Sequence, residues 1–433
     1  MSLIDHPRLR PLSAWRVEHQ GRLLVRLDDP AGAMIQPVFL NLDWFEQVGR
    51  HFDGQSSLSD IQARVLRSTG LFLTLASLQE SVAYLDSAMV LDGPTFQAFV
   101  SEFRATGRRP ASHAGRSYAA SARALEAQLD QYYLTNDGAG RPNPPNLDAV
   151  PVRAIFSPHI DFKRGGTVYS HAYRELVERS RADVFVILGV AHRACRRRFV
   201  LTRKDFETPL GLARTDRAYV DALIGRAGER FLDDELAHRS EHSIEFQVVF
   251  LQHVLGARAD YSIVPILAGS FHDLMREGHD PGDDPEVAAF LGALEEVEHA
   301  SGKRVVYIGG IDLCHVGPEF GDPEPVTDQF AQHVRHFDQA MLERAAATDA
   351  RGWFQTAATV QNRFRVCGLA AGYSMLRTIG KGEGKLLRYD QALNTERTCC
   401  VTFASMSFHA EDPPATGRRD HDRVELKLVT EIE

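Results

Sequence analysis

The first hundred residues begin with an alternation of apolar and polar positions. In WRVEHQGRLLVRLDD the apolar side chains recur at every second position, which predicts a hairpin of two paired strands. Two stripes with helical spacing follow at residues 58–66 and 78–85, and Gly93-Pro94 interrupts the pattern. Strands followed by short helices predict a small α+β module, similar to a winged helix, over residues 1–105. The polar stretch 104–116 is the candidate linker.

From about residue 150 the pattern changes to apolar runs that alternate with amphipathic segments. Such a pattern predicts a mostly parallel sheet flanked by helices on both faces, an α/β fold, for a second domain of residues 106–412. Residues 413–433 read as a polar C-terminal tail. The predicted strands are RAIFSPHI, DVFVILGVA, YSIVPILAG, KRVVYIGGI and CCVTFASMSF, and the predicted helices include residues 241–256, 329–346 and 367–378.

The composition excludes several classes of protein. The 433 residues are 44% hydrophobic and 25% charged, which is typical of a folded globular chain. With 49 Lys and Arg against 58 Asp and Glu, the net charge of −9 argues against general binding to nucleic acid. The opening MSLIDHPRLR lacks an apolar stretch of signal-peptide length, and the apolar runs along the chain are too short to span a membrane. Five cysteines are too few for a disulfide framework in a chain of this length. We therefore expect a cytoplasmic protein without nucleic-acid or membrane partners.

Three of the predicted strands end in residues that can bind a metal ion. IFSPHIDF contains His159, VILGVAHR contains His192, and VYIGGIDLCH contains Cys314 and His315. The carboxyl ends of parallel strands meet at one edge of a sheet, where ligands usually bind. Imidazole nitrogen and thiolate sulfur suit iron, copper or zinc, and three protein ligands leave coordination positions open. The sequence leaves open the alternative that each side chain only forms a hydrogen bond or packs in the core.

The segment EHSIEFQVVFLQHVLG predicts a helix with a further histidine near its start. His242 could reach the same cleft and donate or accept protons. Alternatively, it could bond to a neighbouring carbonyl while Glu241 and Glu245 cap the helix. Asp161 and Asp312 could orient the imidazoles as hydrogen-bond acceptors, although an Asp at a strand end is also an ordinary turn residue.

Among the remaining cysteines, Cys399 and Cys400 lie in a predicted buried strand, and we expect both to be core residues. Cys195 precedes three arginines, whose positive charge could lower the pKa of its thiol. A cluster of this kind is more often a solvated face.

At these residues the chain resembles the Memo family, which includes the bacterial proteins called AmmeMemoRadiSam system protein B. The resemblance covers residues 110–409 and consists of six segments in the same order. SHAGRSYAAS is similar to the SHAG-W-Y opening of the family, SPHIDF to its PHAGY-like segment, ILGVAHR to LGPSHH, EHSIEFQ to EHSIE, IDLCHVG to SDFCHWG, and NRFRVCGLAAG to the segment before its late helix. Six ordered segments are far more specific than any one of them.

The resemblance implies a three-layer fold similar to that of the LigB-type class III extradiol dioxygenases, with a non-haem metal cleft. His159, His192 and Cys314 fall on the family's metal-ligand positions, and His242 falls on a position that resembles the acid/base histidine of the dioxygenases. The implied cofactor is one divalent transition metal, with iron favoured and copper or zinc as alternatives. In those dioxygenases the third ligand is a carboxylate, so the fold transfers better than the ring-cleaving reaction.

Two functions are consistent with this resemblance. The first is a metal-dependent oxidoreductase, similar to a dioxygenase, that acts on a small-molecule or peptide substrate. The second is a non-catalytic protein that uses the same cleft to bind a peptide or a metal.

The chain also departs from the family pattern at four places. Ser117 replaces Trp, Asp161-Phe162 replaces Gly-Tyr, Arg193 replaces the second His of SHH, and Leu369-Ala370 stands where Arg-His-Pro is frequent. These replacements make peptide or aromatic recognition by the lost side chains doubtful.

Residues 1 to about 100 lie outside the Memo resemblance. Through FDGQSSLSDI and YLDSAMVLDGPTF they are faintly similar to PqqD-type peptide-recognition modules, which accompany radical-SAM maturation enzymes. This similarity implies a short peptide or a radical-SAM protein as the partner. An accessory domain that only packs on the main body is the alternative.

Overall fold

A computed structural model describes residues 4–29, 32–34, 36–146, 149–193, 195–256 and 260–410. The polar tail predicted for residues 413–433 lies outside these ranges. Within them, no helix combines the length and the apolar character needed to cross a membrane.

The N-terminal residues form a three-stranded antiparallel sheet covered by helices. The predicted hairpin is present, with Trp15 opposite Arg26, and a third strand pairs with its second strand. A cluster of buried side chains, from Val25 to Leu91, forms a core of its own beneath this sheet. The elements are β1 (Ser13–His19), β2 (Arg22–Asp28), β3 (Val38–Asn41), α1 (Leu42–Gln47), α2 (Leu58–Thr69) and α3 (Leu75–Ser87).

Helix α4 (Pro94–Ala105) connects this region to the rest of the chain. The sequence pattern predicted only a break here, but a proline at the first position also begins a helix, because its missing N–H would have no partner there. The guanidinium of Arg10 lies 3.7 Å from the ring centre of Phe96, and the amine of Lys204 lies 4.6 Å from that of Phe103. Helix α4 therefore packs against both parts of the molecule.

One residue of the polar stretch 104–116 makes a buried contact with the larger body. Arg109 is completely buried and pairs with Glu245, in the helix that begins at His242. This segment is thus part of the larger body. The domain boundary at residue 105 remains a prediction.

The larger body contains an eight-stranded sheet. Its strand order is β12-β14-β5-β11-β6-β10-β7, with β13 paired to β14. Strands β5, β11, β6 and β10 are parallel, and the flanking strands are antiparallel. The elements are β4 (Arg108–Arg109), α5 (Ala122–Leu134), β5 (Val152–Ser157), α6 (Phe162–Arg179), β6 (Val184–Val190), β7 (Phe199–Leu201), β8 (Asp205–Thr208), β9 (Gly211–Ala213), α7 (Arg217–Ala227), α8 (His242–Leu255), β10 (Ser262–Ala268), α9 (His272–Glu277), α10 (Pro285–Ser301), β11 (Val305–Gly310), β12 (Asp312–Val316), α11 (Asp328–Ala346), α12 (Ala350–Ala358), α13 (Leu369–Ile379), β13 (Gly382–Leu393) and β14 (Cys400–Ala410).

Side chains from the two faces of this sheet enter two separate cores. Phe156 and Val186 belong to the core shared with α7 and α10 to α13, whereas Ile155 and Ile187 belong to the core shared with α5, α6 and α8. Neighbouring residues of one strand point to opposite faces, so a sheet buried on both faces produces continuous apolar runs. The predicted α/β fold with helices on both faces is confirmed. Strands β12 and β13 and the hairpin β8-β9 were not predicted.

A fragment of residues 94–433 should unfold at a higher temperature than one of residues 108–433. The buried Lys204 amine donates to the carbonyl oxygens of Thr106, at 2.7 Å, and Arg104, at 3.3 Å, and the shorter fragment loses both acceptors. Thermal unfolding followed by circular dichroism checks this. Phe103→Ala in the full chain is the control, because it removes a ring but leaves the carbonyls. Equal midpoints for the two fragments would contradict the placement of α4.

Candidate metal centre

Three histidines from separate parts of the chain meet at one edge of the sheet. His159 follows β5, His192 follows β6, and His242 is the first residue of α8. One potential ligand atom of each lies within 4.8 Å of the others, so a cluster of this kind can hold a metal ion. The ring centres of His159 and His192 are 5.0 Å apart, and those of His192 and His242 are 4.7 Å apart.

The close approach of α8 to the sheet depends on two glycines. A Cβ on Gly189 would lie 2.5 Å from the Ile244 side chain, and one on Gly310 would lie 2.7 Å from the Ser243 carbonyl oxygen. At the end of β6, the Ser243 hydroxyl accepts from the Val190 backbone N–H at 2.9 Å and donates to the Val190 carbonyl oxygen at 3.0 Å. Because the first turn of α8 is in direct contact with these strand ends, His242 lies next to the ends of β5 and β6.

His159 is buried and held in one tautomer. Its Nδ1 lies 2.9 Å from the carbonyl oxygen of Gly310, which can only accept, so Nδ1 carries the hydrogen and Nε2 keeps a free lone pair. Its backbone N–H donates to Asp312 Oδ1 at 2.9 Å. Burial and, to a smaller extent, the nearby His192 lower the pKa of His159 to about 3. The imidazole is therefore neutral at physiological pH, as metal ligation requires.

A buried carboxylate, Glu241, orients the His192 imidazole and lies close to that of His242. It accepts from His192 Nδ1 at 3.0 Å, from the His192 backbone N–H at 3.1 Å and from the Ser243 backbone N–H at 2.9 Å. His242 Nδ1 lies 3.2 Å from the same carboxylate. Burial alone would raise the pKa of Glu241, but His192 and these hydrogen bonds hold it well below its usual range.

The same carboxylate affects His192 and His242 differently. Burial lowers the pKa of His192, yet the charge of Glu241 more than offsets this and raises it. For His242 burial dominates and lowers the pKa to about 3, although Glu241 opposes the shift. The carboxylate thus accepts from Nδ1 of His192 and leaves its Nε2 available. The His242 imidazole is therefore neutral at physiological pH.

The structure does not bring Cys314 to the three histidines. Its Sγ donates to Asp338 Oδ1 at 3.1 Å and is buried in the core next to α11. Burial raises the pKa of the Cys314 thiol, and the charge of Asp338 raises it further. The pairing of β12 with β14 shifts its register between Asp312 and His315, and this irregularity breaks the simple alternation of side chains.

Another cysteine lies where a sulfur ligand was expected. Cys367 Sγ is 3.2 Å from His159 Nε2, and Cys367 lines a cavity of about 320 Å³ together with His192. The preceding loop contains left-handed backbone at Gln361, Asn362 and Arg365, with φ of 51°, 47° and 55°. Cys367 lies in the segment NRFRVCGLAAG, and no pattern in the sequence assigns this cysteine to the site. Its position in an irregular loop offers no periodicity from which the contact could be read.

The other candidate residues have mixed positions. Asp312 supports His159, as described, and burial raises the pKa of its carboxyl to about 6. Asp161 instead caps α6 by accepting from the Arg164 backbone N–H. Burial raises the pKa of Cys195 to about 12, so the neighbouring arginines do not activate it. Cys399 and Cys400 are both buried, as expected of core residues.

The SHAGRSYAAS segment is tied to α8 by a second buried carboxylate. Glu245 accepts from the backbone N–H groups of Ser112, at 3.1 Å, and His113, at 3.0 Å, and it also binds Arg109 and the Tyr118 hydroxyl. The ring centre of His113 thereby lies 5.6 Å from that of His242. The segment, whose role the sequence left open, forms one wall beside the histidines.

Comparison with known proteins agrees with this architecture. The sequence profile described as "Memo-like protein" matches residues 109–407. A "MEMO1 family protein" of Aquifex aeolicus is 26% identical over 364 residues, covering 82% of this chain and 89% of the relative. A second, from Methanopyrus kandleri, is 29% identical and covers 64% of this chain and 89% of the relative. A third, from Thermus thermophilus, is 26% identical and covers 77% and 93%.

Replacing Arg109 by Ala should destabilise the protein by about 3–5 kcal/mol, because it leaves the Glu245 carboxylate buried without its cation. The neighbouring Arg108 provides a matched control. Its exposed side chain pairs with Glu207 at 3.2 Å, and Arg108→Ala should change the stability by less than about 1 kcal/mol. Urea unfolding measures both. Similar losses for the two variants would contradict the role assigned to the buried pair.

Proposed function

The chain belongs to the Memo family, and because it gathers His159, His192 and His242 at one cleft, we propose that it is a metal-dependent oxidoreductase. Its site would hold one divalent transition metal, with iron favoured and copper or zinc as alternatives. The observation that carries this proposal is the arrangement of His159 and His192. Each has Nδ1 bonded to an acceptor, which directs Nε2 toward the cleft, and the Cys367 sulfur lies 3.2 Å from Nε2 of His159.

The donors fit such an ion chemically. His159 and His192 supply two imidazole nitrogens, and the Cys367 sulfur, 3.2 Å from His159 Nε2, supplies a soft third donor. We assign the sulfur ligand to Cys367 rather than Cys314, because the Cys314 thiol is engaged with Asp338. Burial raises the pKa of the Cys367 thiol, so thiolate formation there needs a cation. Two histidines and one cysteine suit iron, copper or zinc and leave positions open.

When bound, the metal would supply a Lewis acid and, for iron or copper, a centre for one-electron chemistry. The protein's own part is positioning and proton transfer. His242 stacks on His192 and bears a free imidazole whose low pKa keeps it neutral. Placed next to the donors, it can take a proton from a bound substrate at one ring nitrogen while Glu241, near Nδ1, stabilises the resulting charge.

One observation favours a second candidate function, metal or peptide binding without turnover. One ligand atom of His242 lies within 4.8 Å of the ligand atoms of His159 and His192, so His242 can share an ion with them. If His242 and Cys367 both join the other two, four protein donors close the coordination sphere, as in structural zinc sites. The two functions therefore differ in the role of His242.

We also propose that the N-terminal region selects a partner, either a peptide or the radical-SAM protein that the similarity to PqqD-type modules implies. Strand β1 is at the edge of its sheet, where an extended peptide can add as a further strand. Trp15 on this strand is 61% exposed. A pull-down with the full chain and a Trp15→Ala variant tests this proposal.

Metal content should separate the two cysteines. After anaerobic purification, His159→Ala, His192→Ala and Cys367→Ser should each lose most of the metal that the unmodified protein binds, because each removes a donor. Cys314→Ser should keep its metal. Mass spectrometry of the folded variants measures this. Metal loss in Cys314→Ser, with retention in Cys367→Ser, would reverse the assignment.

His242→Ala should keep its metal but, once a substrate is found, lose roughly a hundredfold or more of the substrate-dependent oxygen uptake. The exposed His336 on α11, whose Nδ1 bonds to the Gln332 carbonyl, is the control, and His336→Ala should change neither property. If His242→Ala loses its metal, His242 is a ligand and the non-catalytic function is favoured.

A further inference from the structure

A second cavity adjoins the candidate metal centre at His192. It has a volume of about 540 Å³ and shares Ala191, His192 and Ser270 with the cavity that contains Cys367. Four arginines line this second cavity: Arg193, Arg196, Arg197 and Arg198. A molecule that reaches the metal centre can therefore extend into a space with guanidinium groups along its wall.

Three of these arginines already have carboxylate partners. Arg196 pairs with Asp234 at 3.3 Å and Arg197 with Asp233 at 3.5 Å. Arg198 is held more firmly, by Asp273 at 2.6 Å and Asp284 at 3.4 Å. Their charges are thus largely balanced by the protein itself.

Arg193 is different. Among the described residues no carboxylate lies within 4.0 Å of its guanidinium, and its buried Nη1 has no hydrogen-bond partner. The charge of Arg193 acts on Arg10, which pairs with Asp29 at 2.9 Å. Because Arg193 lines the cavity without a carboxylate partner, an anion bound there can accept from its guanidinium.

We propose that Arg193 binds an oxyanion, a carboxylate or a phosphate ester, of the substrate that occupies the candidate metal centre. Guanidinium presents paired N–H donors that match the oxygens of either group. Arg193 directly follows His192, so the anion would lie one residue from a proposed metal ligand and fix the orientation of the rest of the molecule. The inference rests on the proposed function, because it names the substrate class of the same cleft.

The test uses inorganic phosphate and succinate as probes of the two kinds of anion. Isothermal titration calorimetry at constant ionic strength should show that the full-length protein binds at least one probe more tightly than chloride. Arg193→Gln should weaken that binding roughly tenfold to a hundredfold, the loss expected for a charge-assisted hydrogen bond. Arg196→Gln is the matched control, because Arg196 already pairs with Asp234, and should change the Kd less than about threefold.

The outcomes separate this inference from the metal proposal. Metal content and the thermal midpoint of Arg193→Gln should match those of the unmodified protein, which shows that the loss is not one of folding or metal. Tighter binding of phosphate assigns a phosphate ester, and tighter binding of succinate a carboxylate. Unchanged anion binding in Arg193→Gln, or binding of neither probe above chloride, would overturn the inference. Absence of metal from all preparations, with anion binding still lost in Arg193→Gln, would overturn only the proposed function.

Discussion

The candidate site depends on one buried negative charge, that of Glu241. A carboxylate removed from water is tolerated only where hydrogen bonds and positive partners replace the lost hydration. Glu241 accepts hydrogen bonds from the backbone N–H groups of His192 and Ser243 and from the imidazole of His192. The Nδ1 atom of His242 lies 3.2 Å from the same carboxylate. Glu241 is also the N-cap of α8, where the helix dipole favours a negative charge. The hydrogen bond from His192 to Glu241 therefore has two effects: it stabilises the buried charge and it orients the imidazole.

One turn later on α8, Glu245 repeats the same principle with a different part of the chain. It binds the fully buried Arg109 and the backbone of Ser112 and His113, so a segment far away in sequence is fixed beside the histidines. Gly189 and Gly310 permit α8 to lie against the strand ends. The first turns of this helix thus organise both walls of the cleft through two acidic side chains that do not face solvent.

The chemistry of the cleft is set by the contrast between neutral donors and nearby charge. His159 and His242 are neutral because they are buried, and Cys367 stays protonated unless a cation is present. Neutral imidazoles of this kind can bind a metal ion without first losing a proton. The neighbouring cavity differs from this cleft, because four arginines line it.

Much of this arrangement was determined by the sequence itself. The apolar runs that became β5, β6, β10, β11 and β14 are long and continuous because both faces of the sheet are buried, and the resemblance to the Memo family followed from six ordered segments. Strand ends of a parallel sheet must meet at one edge, so His159 and His192 could be expected in one cleft, whereas the sequence left open whether His242 reaches it.

Only the tertiary structure decided which sulfur accompanies the histidines. The register shift in β12 accompanies the placement of Cys314 beside Asp338, and the left-handed loop before Cys367 brings that thiol to His159. Neither feature has a periodicity, since a bulge and a loop are specified by contacts with distant residues. The burial of Arg109 in an apparently polar linker has the same cause, because its partner Glu245 lies 136 positions away. Local patterns report which residues are buried, whereas the pairing of polar groups across the chain is settled only when the fold brings them together.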